Sequence, residues 1–218
     1  MAWCACLKSA AVILLCSATV RGAVTLGQIE TFSGTHDWNS GLPNPNPPAL
    51  LADSGPLGTG DTALRVTSNG GSGAGGRLLV INESAWTGDY TGEGIVALAM
   101  HVRNGGTTPL SMRVALNGPG GWFVTAASPV AAFSGWNQLV FPIGAPSLVS
   151  SGGTDAGLTL SGVTEIRILH NATVNHRGAQ LSSSFQVDNI QAIPEASVPA
   201  WIALAGGFLL RRHRLQPN

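Results

Sequence analysis

The middle of the chain, from Ala23 to Ile193, consists of short runs in which apolar and polar residues alternate, separated by Gly, Pro, Asn and Ser. Alternation with a period of two predicts β-strands, and no segment keeps the 3.6-residue period of a helix. About nine strands in this length indicate an all-β fold, a jelly-roll sandwich of two antiparallel sheets. The predicted strands are Val24–Phe32, Thr62–Thr67, Arg77–Asn82, Ile95–Arg103, Leu110–Asn117, Trp122–Ala126, Trp136–Phe141, Val163–His170 and Phe185–Ile193.

The strongest alternation lies in Ile95–Arg103 and Leu110–Asn117, on either side of the Asn-Gly-Gly-Thr sequence at 104–107. This arrangement predicts a β-hairpin with one apolar face in the core. That face carries Val96, Leu98, Met100, Val102, Leu110, Met112, Val114 and Leu116. The opposite face is polar or small, so we expect it to meet solvent or to line a groove.

Both ends of the chain differ from this middle part. Residues 9–20 are apolar and follow Lys8, which predicts a secretory signal peptide over residues 1–22 with cleavage before Ala23. The three cysteines, Cys4, Cys6 and Cys16, fall inside it, so the mature protein has no thiol. We therefore expect export through the Sec translocon and cleavage by signal peptidase. One domain is predicted over residues 23–193.

Charge is scarce, because only 10% of the residues are Asp, Glu, Lys or Arg. Residues 23–194 contain six Arg and no Lys against six Asp and four Glu, a net charge of −4. This balance gives no basic footprint and disfavours nucleic acid as a partner.

Four motifs occur in a characteristic order: Glu30-Thr31-Phe32, then Trp38, then Gly135–Pro142, then Val187–Ile190. Their order resembles that of jelly-roll domains of the carbohydrate-binding-module kind. The resemblance implies a structural calcium held by Glu30 and Asp188, on the first and last strands. The alternative is that Glu30 is an exposed strand residue and that Asp188 makes a local turn bond.

Candidate ligand-binding residues are two loop tryptophans, Trp38 and Trp86, whose flat rings could stack on sugar rings. They could equally plug the core beneath an edge of the sandwich. His101 and Arg113, with Arg103 and Arg167, could line a groove for a hydroxyl-rich or anionic polymer, or could be ordinary solvated positions. His170 and His176 match no common zinc motif.

The sequence shows no Gly-x-Ser-x-Gly elbow, no HExxH and no P-loop, so we expect no catalytic residues and a non-enzymatic protein.

The C-terminal tail, residues 194–218, has three parts in order. Pro194-Glu195-Ala196 is followed by the apolar run Ala200–Leu210 and then by the arginines Arg211, Arg212 and Arg214. This order resembles the PEP-CTERM sorting signal of Gram-negative bacteria, with Ala196 in place of the second proline. The resemblance implies a short hydrophobic helix, a transient stay in the inner membrane with the arginines inside, and processing by an exosortase-type protease.

Together these features predict an exported, non-enzymatic protein of the cell surface or extracellular matrix. A glycan-binding module for exopolysaccharide is the first alternative, and a polysaccharide-active enzyme is the second.

Overall fold

The computed structural model describes residues 23–195, and strands dominate this part of the chain. The elements in chain order are β1 (Ile29–Glu30), β2 (Ala49–Leu51), β3 (Ala63–Asn69), β4 (Leu79–Asn82), β5 (Ile95–Arg103), β6 (Leu110–Gly118), β7 (Gly121–Val124), β8 (Ser128–Val130), β9 (Trp136–Pro142), a 3-10 helix (Ala145–Ser147), β10 (Val149–Ser150), α1 (Ala156–Leu160), β11 (Glu165–His170) and β12 (Ser182–Pro194). Among the described residues, no helix is long and apolar enough to cross a membrane. The predicted signal peptide and the tail beyond Glu195 lie outside the described residues.

The strands form two sheets. The first sheet has the order β2-β3-β12-β5-β9, with β1 also paired to β12. The second has the order β10-β7-β6-β11-β4, with β8 also paired to β6. Every pairing between these strands is antiparallel. This is the all-β sandwich that the alternating sequence predicts.

A single large core lies between the sheets, because alternate residues of the strands point inward from both sides. Its largest fully buried side chains include Trp86, Tyr90, Phe32, Phe141 and Phe185. The Tyr90 hydroxyl donates a hydrogen bond of 2.8 Å to the Trp86 carbonyl, and burial raises the pKa of Tyr90. Each such side chain stabilises the fold by about 1.5–3 kcal/mol on removal from water.

The predicted hairpin between β5 and β6 is wrong. β5 pairs with β12 and β9 in the first sheet, whereas β6 pairs with β11, β7 and β8 in the second. The turn after Arg103 therefore crosses from one sheet to the other. Alternation identifies which side chains point inward, but it does not distinguish a paired strand from one that faces it across the core. The polar sides of β5 and β6 consequently lie on opposite surfaces of the protein.

Strand β12 is long and irregular, and it organises the first sheet. Its first half pairs with β3 and its second half pairs with β1, whereas its other edge pairs with β5 from Gln186 to Pro194. The register with β5 shifts between Asp188 and Gln191. Asn189 in this bulge has φ of 50°, a left-handed conformation that Asn tolerates better than most residues. As a result Asp188 points outward while Ile190 returns to the core.

The outer face of the second sheet is covered by the chain itself. Leu79, Ala115, Val124 and Leu169 form a second small apolar cluster on that face. The segment 171–178 lies over it, since His176 stacks on Trp122 with ring centroids 4.6 Å apart. Arg167 lies 4.2 Å from the centroid of the same ring. On the outer face of the first sheet, Arg65, Arg103 and Val140 are exposed whereas Asp188 is buried, so part of this face is open to a ligand.

Candidate functional site

The two tryptophans expected to stack on sugar rings are buried, which corrects that prediction. Trp38 is 3% exposed and Trp86 is 0% exposed, and both belong to the main core. They take the alternative role, as plugs of the sandwich, because a sequence that reads as a loop can still fold its aromatic side chain inward.

The predicted groove of His101, Arg103, Arg113 and Arg167 does not form, because β5 and β6 belong to different sheets. Arg113 is buried on the second sheet, where its Nε donates to the Asn171 carbonyl at 3.0 Å. Its Nη1 also donates to the Thr125 carbonyl at 2.7 Å. Arg113 thus anchors the segment 171–178, the covering segment, to the second sheet. His101 and Arg103 remain together on the first sheet.

A row of outward-pointing polar residues crosses the first sheet at one level. Arg65 on β3 is opposite Gln186 on β12, Gln186 is opposite Arg103 on β5, and Arg103 is opposite Trp136 on β9. We call these four residues the donor row. Three steps between strands of about 4.8 Å make the row about 14 Å long.

The side chains of the donor row offer hydrogen-bond donors to solvent. Ser54 Oγ donates to Gln186 Oε1 at 2.9 Å, so the acceptor of this amide is occupied and its NH₂ group is left to donate. Arg65 and Arg103 are exposed, and neither guanidinium forms a hydrogen bond or ion pair within residues 23–195. Arginine and the tryptophan indole are donors only. The row therefore suits a ligand rich in oxygen acceptors.

Trp136 supplies the aromatic surface that the buried tryptophans do not. It is half-buried at the start of β9, on the face opposite to the core residues Leu139 and Phe141. The alternation of β9 already contained this signal, because residues 136, 138 and 140 share one face. A second aromatic ring, Phe133, is 72% exposed in the preceding loop.

Two clefts adjoin the donor row and share Thr67 and Ser184. The larger encloses about 520 Å³ between Arg65 and the proline-rich loop that carries Pro45, Asn46 and Pro47. The smaller encloses about 300 Å³ and is lined by Ser, Thr and Gly residues, including Gly106. The Phe133 N–H donates to the Gly106 carbonyl at 3.0 Å, so the backbone of this exposed residue lies beside the second cleft.

A buried carboxylate lies one level along the same face. Asp188 is 0% exposed and accepts hydrogen bonds from the backbone N–H (2.7 Å) and the side-chain amide (3.3 Å) of Asn189. Burial, with smaller contributions from the negative charges of Asp61 and Glu30, raises the pKa of Asp188 to about 7, although the hydrogen bond from the Asn189 N–H acts in the opposite direction. A polysaccharide-active enzyme needs carboxylates that contact the substrate. Asp188 is fully buried and does not meet that requirement.

Glu30 and Asp188, the expected calcium ligands, lie on the neighbouring strands β1 and β12. The negative charges of Asp61 and Glu30 act on Asp188, and a hard cation such as calcium would offset such repulsion. However, within residues 23–195 no three His, Cys, Asp or Glu side chains are grouped closely enough to hold a metal. Glu30 Oε1 already accepts the Phe32 N–H at 3.0 Å. Backbone carbonyls and water would have to complete the ligand set, and calcium binding stays a prediction.

The histidines have separate roles. His101 is opposite Asp188, and its Nδ1 is buried without a hydrogen-bond partner among the described residues. His170 Nδ1 accepts the Ser111 N–H at 2.8 Å, and burial lowers the pKa of His170. His176 contacts Ser151 as well as Trp122, and burial lowers its pKa too. His176 joins the segment 171–178 to the second sheet, whereas the His170 ring links β11 to β6 within that sheet.

Of the predicted sorting residues, Arg211, Arg212 and Arg214 lie outside the described residues. Pro194 is the last residue of β12 and is paired with Ile95, and the Glu195 N–H donates to the Gly94 carbonyl at 3.0 Å. The motif assigned to the tail from residue 194 therefore begins inside the final strand of the sandwich.

No protein-family model matches the chain, and no curated protein matches it significantly. Solved structures do. The solution structure of CtCBM11 is 15% identical, with a TM-score of 0.52, and the match covers 79% of this chain and 98% of that one. An exo-beta-agarase is 11% identical, also with a TM-score of 0.52, over 79% of this chain and 25% of the agarase.

A family 11 carbohydrate-binding module from Clostridium thermocellum, in complex with a β-1,3-1,4-mixed-linked tetrasaccharide, is 19% identical with a TM-score of 0.49. This match covers 78% of our chain and 97% of the module. At these identities the likeness concerns the fold. The matches to CtCBM11 and to the agarase, both with TM-scores of 0.52, confirm the jelly-roll sandwich, and the match to the agarase is confined to a quarter of that enzyme.

Proposed function

We propose that this chain is a glycan-binding protein and that polysaccharide binds across the outer face of the first sheet. The observation that carries the proposal is the donor row, in which Arg65, Gln186 and Arg103 lead to the half-buried ring of Trp136. Sugars offer hydroxyl and ring oxygens as acceptors and apolar C–H faces to an aromatic ring. A flat row of donors ending at a tryptophan matches both properties.

The surrounding structure supports this assignment. The proline-rich loop forms a wall beside Arg65, and the exposed Phe133 belongs to the loop next to the Ser/Thr cleft. The second sheet cannot serve in the same way, because the segment 171–178 covers it. The fold is that of solved carbohydrate-binding modules, which are binding domains and not catalytic ones.

We further propose that the chain is exported through the predicted signal peptide of residues 1–22. The tail of residues 194–218 would then direct it to the surface or extracellular matrix of a Gram-negative-type bacterium. Glycan binding on the outside would hold the protein to exopolysaccharide. This combines the sorting function expected from the ends of the chain with the glycan-binding alternative.

Affinity electrophoresis of the full-length chain tests the proposal. Native gels containing β-glucan, xylan, agarose-derived, pectic or alginate polymers should retard the protein in at least one case. Gln186→Leu removes the amide donors at the centre of the donor row and should weaken binding about tenfold. The matched control is Gln180→Leu, at an exposed position in the loop before β12. Unchanged mobility in every polymer would refute the proposal.

A further inference from the structure

The donor row carries two positive charges, those of Arg65 and Arg103, that take no part in holding the described residues together. Arg77 donates to the Gly178 carbonyl at 2.9 Å, Arg113 is buried with two carbonyl acceptors, and Arg167 is paired with Glu165 at 2.6 Å. By contrast, Arg65 and Arg103 are exposed, and both lack a hydrogen bond or ion pair within residues 23–195.

These two arginines occupy equivalent places on either side of Gln186. Because β12 lies between β3 and β5, the backbone positions of Arg65 and Arg103 are separated by two inter-strand spacings, or about 10 Å. The NH₂ group of Gln186 lies between them, and the indole N–H of Trp136 follows Arg103. A guanidinium binds a carboxylate or sulfate through two parallel hydrogen bonds, which a neutral hydroxyl cannot match.

The positive face contrasts with the charge of the whole domain. Residues 23–194 have a net charge of −4, so general attraction of polyanions is unfavourable. The nearest carboxylate along β12 is Asp188, which is buried and therefore does not offset the charge of the arginines at the surface. Arg177 is likewise exposed and without a side-chain partner among the described residues, but it lies alone on the segment 171–178. Arg65 and Arg103 instead share one level of the first sheet, and this pairing of two charges favours an anionic ligand.

Resting on the proposed glycan-binding function, we infer that the ligand is an anionic polysaccharide whose carboxylate or sulfate groups are bound by Arg65 and Arg103. Gln186 donates to the sugar oxygens between the two charged groups, and the Trp136 ring contacts the apolar face of the next sugar. The spacing of the arginines selects a chain that carries charge at intervals of about 10 Å or less.

The experiment compares one polymer backbone with and without charge. Binding of the full-length chain is measured by titration calorimetry with polygalacturonate and with its fully methyl-esterified form. Alginate gives a second carboxylate polymer, dextran sulfate tests sulfate, and poly-L-glutamate is the polyanion without sugar. Arg65→Gln and Arg103→Gln are compared with Arg177→Gln, an exposed arginine of the segment that covers the second sheet.

We expect a carboxylate or sulfate polysaccharide to bind at least about tenfold more tightly than the neutral ester or dextran. Each arginine variant should lose about tenfold toward the charged polymer and clearly less toward neutral glycans, because glutamine keeps a hydrogen-bond donor and loses the positive charge. Arg177→Gln should bind like the wild type. Thermal melts confirm that the variants fold. Preference among carboxylate and sulfate polymers identifies which anionic group the site takes.

Three results would overturn the inference. Equal binding of the charged polymer and its neutral ester, with no effect of either donor-row variant, would leave a glycan-binding protein for neutral sugars. Binding of poly-L-glutamate as tight as that of the polysaccharides would indicate charge attraction alone. Absence of binding to any glycan, charged or neutral, would remove the proposed function together with the inference.

Discussion

Arg103 on β5 lies directly opposite Trp136 on β9, and both side chains project from the outer face of the first sheet. The guanidinium and the aromatic ring thus form adjacent polar and apolar surfaces at one end of the donor row. On the second sheet an arginine and a tryptophan also meet, but Arg167 and Trp122 are engaged with Glu165 and His176. The same two residue types serve recognition on one face and structure on the other.

This contrast predicts opposite effects of two tryptophan substitutions. Trp136→Ala should weaken glycan binding about tenfold or more, because it removes an aromatic contact surface, and should change the melting temperature little. Trp122→Ala should lower the melting temperature by several degrees, because it removes the stack with His176 and the contact with Arg167, while the folded protein keeps its affinity. Calorimetry of both variants checks the pair. An affinity loss confined to Trp122→Ala would contradict the assignment of the faces.

The buried carboxylate predicts an unusual pH dependence of stability. Burial, reinforced by the nearby negative charges of Asp61 and Glu30, raises the pKa of Asp188 from its ordinary value of 3.8 to about 7 in the folded protein. Because folded Asp188 keeps its proton to a higher pH than unfolded Asp188, protonation stabilises the folded state. This contribution is fully present below about pH 4 and is lost as the pH rises through about 7. The free energy of unfolding of the wild type relative to Asp188→Asn should therefore fall over this range, by up to about 4 kcal/mol.

Urea unfolding in excess chelator at several pH values between 4 and 8 measures this difference. Asp155→Asn, at the exposed N-cap of α1, serves as the control carboxylate. A wild-type stability that rises steadily relative to Asp188→Asn toward pH 8 would show that Asp188 is ionised in the folded state.

Calcium, if Glu30 and Asp188 bind it, should stabilise the folded protein, since a ligand bound only to the native state does so. Excess chelator should then lower the melting temperature of the wild type by about 5–10 °C. Glu30→Gln and Asp188→Asn should show no such decrease. Glu93→Gln, which alters a carboxylate bonded to the Leu26 N–H, should respond like the wild type. Identical wild-type melts with calcium and with chelator would dismiss the metal.

The ends of the mature protein follow from the proposed export. The surface form should begin at or near Ala23 and end close to Glu195, a length that retains all of β12. Intact-mass measurement of protein recovered from the cell surface gives both termini directly. Deletion of Arg211–Arg214 should leave precursor in the membrane fraction. Extracellular protein that still includes Leu210 and the arginines would refute processing at the sorting motif.

Much of this fold is visible in the sequence, because inward positions alternate along most of each longer strand, although the bulge at Asn189 interrupts the alternation in β12. β5 occupies Ile95–Arg103, the span predicted, and β6, β9 and β12 differ from prediction by a few residues at their ends. The short strands β2, β8 and β10 have two or three residues each and too little alternation to detect. Most of the predicted first strand, Val24–Phe32, is a turn and irregular chain, with only Ile29–Glu30 paired.

The candidate site was less predictable, because it depends on which strands are neighbours. Arg65, Gln186 and Arg103 lie on strands far apart in the sequence and meet only through the pairing of β12 with β3 and β5. Trp136 could have been assigned to the outer face from the alternation of β9, but it begins an apolar run and so resembles a core residue. Burial of Trp38 and Trp86 depends on loop conformation, which no local pattern specifies.

The most direct test of the account is to map the bound glycan by NMR. The full-length chain labelled with ¹⁵N is titrated with an oligosaccharide of the polymer that retards it best. Binding at the proposed face should shift the amides of Arg65, Gln186 and Arg103 and the indole N–H of Trp136 most strongly, and should leave Trp122 and Arg113 unchanged. Shifts concentrated on the second sheet, or absent from the donor row at saturation, would contradict the account.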